Sequence, residues 1–132
     1  MIALDTNLLV RLLTNDDPRQ AARVESWLRN NATAQAPAYV DHVVLSELAW
    51  VLERGYGYGR GDVRVAIAAL LDHDQLKVES PALVRQALAL HEDGPADFAD
   101  YLLAVRAKAA GFAPVLTLDK KAAKRASHRL LR

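Results

Sequence analysis

The strongest constraint on the fold is an alternation. Short apolar runs recur along the chain, and each is followed by a longer stretch with apolar residues at helical spacing. Ile2-Ala3-Leu4, Ala38-Tyr39-Val40, Leu76-Lys77-Val78 and Val115-Leu116-Thr117-Leu118 read as strands. Between them, Asp5-Thr6-Asn7 is a polar turn ahead of a short apolar helix, Leu8 to Leu13. Asp17-Pro18 opens a second helix reaching about Arg29. Asp41 caps a third, which carries Val44, Leu45, Leu48, Val51 and Leu52 and stops at Gly55. Asp62 caps a fourth through Val65, Ile67 and Leu70, and Ser80-Pro81 opens a fifth. Ala96 to Ala110 is a strong helix with Gly111 just past its end. Lys120 to about Ser127 reads as a basic terminal helix. Strands alternating with helices dictate a parallel sheet covered on both faces and joined by right-handed crossovers. The expected fold class is α/β: a three-layer α/β/α sandwich around a mainly parallel sheet of four to five strands. With no internal repeat or linker, one domain over residues 1–132 is expected.

Composition removes several function classes. The 132 residues contain no cysteine, which excludes disulfide scaffolds, zinc–thiolate sites and a cysteine nucleophile. His42, His73, His91 and His128 are scattered without ligand spacing. No apolar run approaches the roughly 18 residues of a membrane span. Asp5, Asn7 and Arg11 break up the N-terminal apolar stretch, so a signal peptide is not expected and the cytoplasm is. There is no Gly-x-Ser-x-Gly elbow. The glycine-rich stretch Gly55 to Gly61 follows a helix and lacks a Gly-Lys-Ser/Thr ending, so it reads as a flexible helix–helix connection, not a phosphate cradle. Within it, Tyr56 and Tyr58 leave base stacking or partner contact as the other reading. Trp27 and Trp50 sit on amphipathic helices and are expected in the core; the other reading is an exposed groove for a partner.

The formal net charge of +1 conceals a division. Residues 119–132 contain Lys120, Lys121, Lys124, Arg125, Arg129 and Arg132 against Asp119 alone, whereas the rest of the chain is acidic. A basic segment of this kind is either a solvated face or a phosphate-binding one.

Ligands of open α/β sheets sit outside the carboxyl ends of the strands. Two strands here end in aspartate, Asp5 and Asp119. Asp97 and Asp100 are three residues apart and share a helix face. Asp97 also has a simpler role, since a carboxylate at a helix start favours the helix dipole; Asp100 lies deeper. Glu47 interrupts the apolar helix around Leu45 and Leu48, where periodicity alone does not separate a surface position from a functional one.

Ile2-Ala3-Leu4-Asp5-Thr6-Asn7, Leu45-Ser46-Glu47-Leu48, Ala96-Asp97-Phe98-Ala99-Asp100-Tyr101-Leu102-Leu103-Ala104 and Leu116-Thr117-Leu118-Asp119 together resemble, in order and spacing, the acidic motifs of the PIN-domain nucleases. Stand-alone members of this size are mostly VapC-type toxins of bacterial toxin–antitoxin pairs. The resemblance implies that Asp5, Glu47, Asp100 and Asp119 are catalytic, metal-holding carboxylates. Asp97, Thr6, Asn7 and Thr117 become accessory residues. Asn7 would hold Asp5, and Thr117 a neighbouring carboxylate. Such a cluster repels itself and should raise at least one carboxyl pKa until a cation enters. All-oxygen donors select Mg²⁺ or Mn²⁺. The implied activity is metal-dependent endoribonuclease cleavage of RNA, with Lys120, Lys121, Lys124 and Arg125 on the RNA backbone. The implied partners are RNA, a cognate VapB-like antitoxin docking in a groove near the first helices, and a second copy in a homodimer. The competing readings are a non-toxin or catalytically silent PIN module and an aspartyl-phosphate phosphatase. The phosphatase wants an Asp where this chain has Asn7. A receiver-like domain wants an acidic pair after the first strand and a phospho-acceptor Asp after a middle strand, for which Val40-Asp41 is a poor match.

Overall fold

The computed structural model describes residues 2–132. Six helices and four short strands divide into two compact units, the first ending at Glu79 and the second spanning Ser80–Arg132.

In the first unit the chain runs α1 (Thr6–Leu13), α2 (Pro18–Asn31), β1 (Ala38–Val40), α3 (His42–Tyr56), α4 (Arg60–Leu71) and β2 (Leu76–Val78). Aspartates start three of the helices as expected. Asp5, Asp17 and Asp41 accept hydrogen bonds from the backbone amides of Leu8, Gln20 and Val44, at 3.2, 3.1 and 2.8 Å. Pro18 takes the first position of α2, where its missing N–H costs nothing. The end of α2 is closed from a distance: Gln75 Nε2 donates to the carbonyls of Leu28 (2.9 Å) and Ala32 (3.2 Å). β1 and β2 pair in parallel, with Ala38 opposite Leu76 and Val40 opposite Val78. Helices α1 and α2 pack on each other, α1 also on α3, and α3 on α4. Leu9, Leu28, Leu45, Leu48, Leu52, Ile67 and Leu70 form the interior of this unit.

The second unit holds α5 (Pro81–Asp93), α6 (Phe98–Ala109), β3 (Val115–Thr117), a 3₁₀ turn (Ala122–Lys124) and β4 (His128–Leu130). α5 packs along α6, burying Val84, Ala87 and His91 with Phe98, Tyr101 and Leu102. Gly111 ends α6 at φ +90°, a left-handed position that glycine takes without steric cost. β3 and β4 are parallel, with Val115 opposite His128 and Thr117 opposite Leu130.

The α/β class and the parallel pairing agree with the sequence, but the strand content is smaller than a sheet of four to five. Among the described residues the ladders are the two pairs β1–β2 and β3–β4. Ile2–Leu4 adds only a bridge, through Tyr39 N to the Ile2 carbonyl and Leu4 N to the Tyr39 carbonyl, both 2.8 Å. It has no room to lengthen, because Asp5 already caps α1. Nor is the β1–β2 ladder covered on both faces: Ala38, Val40, Leu76 and Val78 are buried, whereas Tyr39 and Lys77 are exposed. The glycine-rich loop also contracts. α3 runs on to Tyr56 and α4 begins at Arg60, because Asp62 acts from inside the helix, accepting from Gly59 N at 3.0 Å, instead of capping it from outside. The basic segment is not a helix. Asp119 Oδ1 accepts from Lys121 N at 2.8 Å and the Asp119 carbonyl from Ala123 N at 3.1 Å, which folds the chain into turns. Ala122 is its one buried apolar anchor, too little to hold a longer helix, and the chain then extends into β4.

Candidate active site

Asp5 stands where the extended Ile2–Leu4 segment turns into α1. Its backbone is extended (φ −92°, ψ 174°), and one carboxylate oxygen is fixed by Leu8 N, leaving the side chain exposed. That amide orients it; Asn7, expected to do so, makes no hydrogen bond to it among the described residues. Thr6 is buried as the first residue of α1. Glu47 is exposed on α3, on the face that also carries Val43 and Trp50, opposite the buried Leu45, Leu48 and Leu52. It makes no hydrogen bond or ion pair among the described residues. Trp50 is 59% exposed, so the core position expected for it is corrected; its ring lies with the exposed Val43 on the outer face of α3, away from the buried leucines.

The second unit gathers the other acids. Asp97 is the N-cap of α6, and its amide donates to Asp100 Oδ2 at 3.1 Å. Asp100 is half-buried, and burial pushes its carboxyl above the ordinary range. The negative charges of Asp97 and Asp119 add to that rise, against the Asp97 amide hydrogen bond and the nearby His128, which lower it. Asp100 therefore lies within the fields of both Asp97 and Asp119. Asp119 is held by two turns: Thr117 Oγ1 accepts from its amide at 3.0 Å, and its own carboxylate accepts from Lys121 N. Thr117 thus positions the backbone of Asp119 and not a neighbouring carboxylate. Within neither unit do three His, Asp or Glu side chains among the described residues stand close enough to hold a metal ion as a group.

Of the basic residues, Lys120, Lys121, Lys124 and Arg125 are all exposed. Arg125 is engaged: its guanidinium donates to the carbonyl of Asp93 at the end of α5.

Sequence reasoning missed one feature, His128, buried on β4 with its Nδ1 2.8 Å from Ser127 Oγ and its ring edge-on to Tyr101. The alternation of His128-Arg129-Leu130 was its only signal. A groove near the first helices was implied by the resemblance, and one of about 400 Å³ runs along α1 and α2, lined by Asp5, Leu8 and Arg11 on one side and Gln20, Arg23 and Trp27 on the other. Helical spacing on α2 carries the latter three to one face, but sequence alone does not show that α1 leaves them uncovered.

Among the described residues, no helix is long and apolar enough to cross a membrane. The PIN domain family model matches residues 2–128, nearly the whole chain, and the chain belongs to that family. A curated relative from Aquifex aeolicus (strain VF5), named VapC ribonuclease, is 26% identical over 121 residues, covering 92% of this chain and 89% of that protein. A solved structure, that of Mycobacterium tuberculosis VapC20, described as a sarcin-ricin loop cleaving toxin, is 20% identical, with a TM-score of 0.46 and 94% of each chain covered.

Proposed function

We propose that this chain is a single PIN domain over residues 1–132 that hydrolyses RNA phosphodiester bonds as a metal-dependent endoribonuclease. The observation that carries the reading is Asp100, a carboxyl raised by burial and by the charges of Asp97 and Asp119 at the start of a helix. Carboxylates forced into one field are stabilised by a divalent cation, and the need for one is the simplest account of why they are kept together.

The donors fit such a cation. They are all carboxylate oxygens, Glu47 has no competing partner among the described residues, and Asp5 and Asp119 each commit one oxygen to a backbone amide. Hard donors of this kind suit Mg²⁺ or Mn²⁺ over zinc. Asp5, Glu47, Asp100 and Asp119 are the residues we assign to hold it. When bound, the metal supplies Lewis-acid polarisation of the phosphate and a lowered pKa for an attacking water. The protein's own part is orientation. Leu8 N aims Asp5, Asp97 N aims Asp100, and the Thr117 and Lys121 contacts aim Asp119. Lys120, Lys121 and Lys124 follow directly on Asp119 and attract the RNA backbone beside it.

The curated relative named VapC ribonuclease supports the more specific role. In that role the chain is a cytoplasmic toxin that works as a homodimer and is held silent by a cognate VapB-like antitoxin. The test is incubation of pure protein with labelled structured RNA in Mg²⁺, Mn²⁺ or EDTA. Cleavage with either metal and none in EDTA is expected, and Asp5→Asn should abolish it in a folded protein. A fully active Asp5→Asn protein in excess Mg²⁺ overturns the assignment.

A further inference from the structure

The groove between α1 and α2 has a function of its own to explain. Its two arginines differ. Arg11 is engaged on every side: Nε donates to Gln20 (2.5 Å), and Nη1 to Asp16 (3.2 Å) and the Tyr56 hydroxyl (3.1 Å). Arg23 is exposed and makes no hydrogen bond or ion pair among the described residues. Between them Leu8, Val24 and Trp27 give the groove an apolar lining, with Trp27 partly exposed. The Arg11–Gln20 contact pins one end. Counting back along α1 and forward along α2 brings Asp5 and Trp27 to the other.

A ligand for this groove needs a flat apolar body and an anionic end. At about 400 Å³ the groove is in the range of small-ligand pockets, roughly 300–1,000 Å³. An indole face accepts any nucleobase, and a guanidinium without a partner pairs with phosphate. Arg11 is already paired with Asp16, which leaves Arg23 as the uncompensated cation of the α2 wall, and that charge favours a phosphate over a cationic peptide beside Trp27. A base inside a duplex cannot enter a cleft between two helices, whereas an unpaired one can. We propose that the α1–α2 groove is a nucleotide subsite beside Asp5, where an unpaired base stacks on Trp27 and its phosphate pairs with Arg23. The proposal rests on the nuclease reading for its ligand and deepens it, making Trp27 and Arg23 residues that select single-stranded RNA next to the cleaved bond.

The test uses binding without cleavage. Trp50→Phe leaves Trp27 as the only tryptophan of the chain's two, and a short oligouridylate is titrated in EDTA. Saturable quenching of Trp27 fluorescence is expected. By anisotropy of a labelled oligouridylate, Trp27→Leu, which keeps apolar packing, should weaken binding roughly 5- to 150-fold. Arg23→Gln should weaken it and lower the salt slope by about 0.7, the value for one neutralised phosphate on a single strand. No quenching at saturating RNA overturns the proposal, as do Leu and Gln variants that bind like the wild type. Quenching by a basic peptide and not by RNA would also overturn it, by assigning the groove to a protein partner. Failure of the nuclease reading is seen separately, as no cleavage by wild-type protein with Mg²⁺ or Mn²⁺, whatever the EDTA titration shows.

Discussion

The amide of Asp97 donates to Oδ2 of Asp100 at 3.1 Å, so the residue that starts α6 also aims the carboxylate one turn inside it. The bond does not cancel the burial and the like charges that raise the Asp100 carboxyl. A carboxyl whose folded pKa lies above its unfolded value is destabilising once ionised. The folded state then holds its proton more tightly, and stability falls as pH rises from the unfolded value through the folded one. At neutral pH the charged Asp100 therefore works against folding. Asp100→Asn should melt at a higher temperature than wild type at pH 7, with the gap closing below the ordinary carboxylate pKa, while losing RNA cleavage. Thermal melts at both pH values and a cleavage assay check the two halves. An unchanged melting temperature at pH 7 would place Asp100 outside the crowded field.

Asp16 shows the opposite sign. The Tyr56 hydroxyl donates to it at 2.7 Å and Thr14 Oγ1 at 2.9 Å, and these bonds, with Arg11, hold its carboxyl below the ordinary range. Its contribution to stability is present above the unfolded carboxylate pKa and is lost as pH falls through the lowered folded value. Tyr56→Phe should reduce stability more at pH 7 than in strong acid, where Asp16 is protonated in both proteins and only the Arg11 bond to the hydroxyl is lost. Denaturant melts across that range read the difference, and a loss that is independent of pH would contradict it.

The lysines after Asp119 are open to a direct test of the RNA-backbone contact proposed for them. Replacing Lys120, Lys121 and Lys124 together by Gln should weaken RNA binding and flatten its salt dependence by about 0.7 for each phosphate no longer neutralised. Arg125→Gln should do less to binding and more to stability, because its guanidinium is already on the Asp93 carbonyl. Binding measured at several salt concentrations separates the two, and an unchanged slope for the triple variant returns these lysines to simple solvation.

Gly94 is a packing requirement. A Cβ at this position would run into the Tyr101 hydroxyl, which itself accepts from Ala96 N at 3.1 Å in the buried core of the second unit. Gly94→Ala should destabilise the protein by about 1–3 kcal/mol, the usual cost of overpacking. In a Tyr101→Phe background, with the hydroxyl gone, the penalty should shrink. Additive losses in a double-mutant cycle would refute the contact.

Much of this was legible in sequence because it is local. An aspartate ahead of an apolar helix is a cap, and Asp5, Asp17 and Asp41 all cap. Three-residue strands such as Ala38–Val40 and Leu76–Val78 stood out by their turn boundaries. What sequence could not show was non-local. Whether Trp50 meets an apolar layer depends on what packs over α3, and whether Lys120 to Ser127 coils depends on Asp119 capturing the amides that follow it. The acids divided along the same line. Their identities were readable from motif order, but the raised Asp100 carboxyl depends on burial and on the charge of Asp119, which only the folded second unit brings near it.

The hydrogen bond from Leu8 N to Asp5 has an evolutionary corollary. Asparagine caps a helix as well as aspartate does. Asp5→Asn therefore removes the negative charge and keeps the bond that starts α1. Aspartate and asparagine codons differ by a single base, so under the catalytic role proposed for Asp5 an inert but fully folded descendant of this protein lies one point mutation away. In that role, mutational drift at this codon is held back by the chemistry of the carboxylate and not by the helix cap.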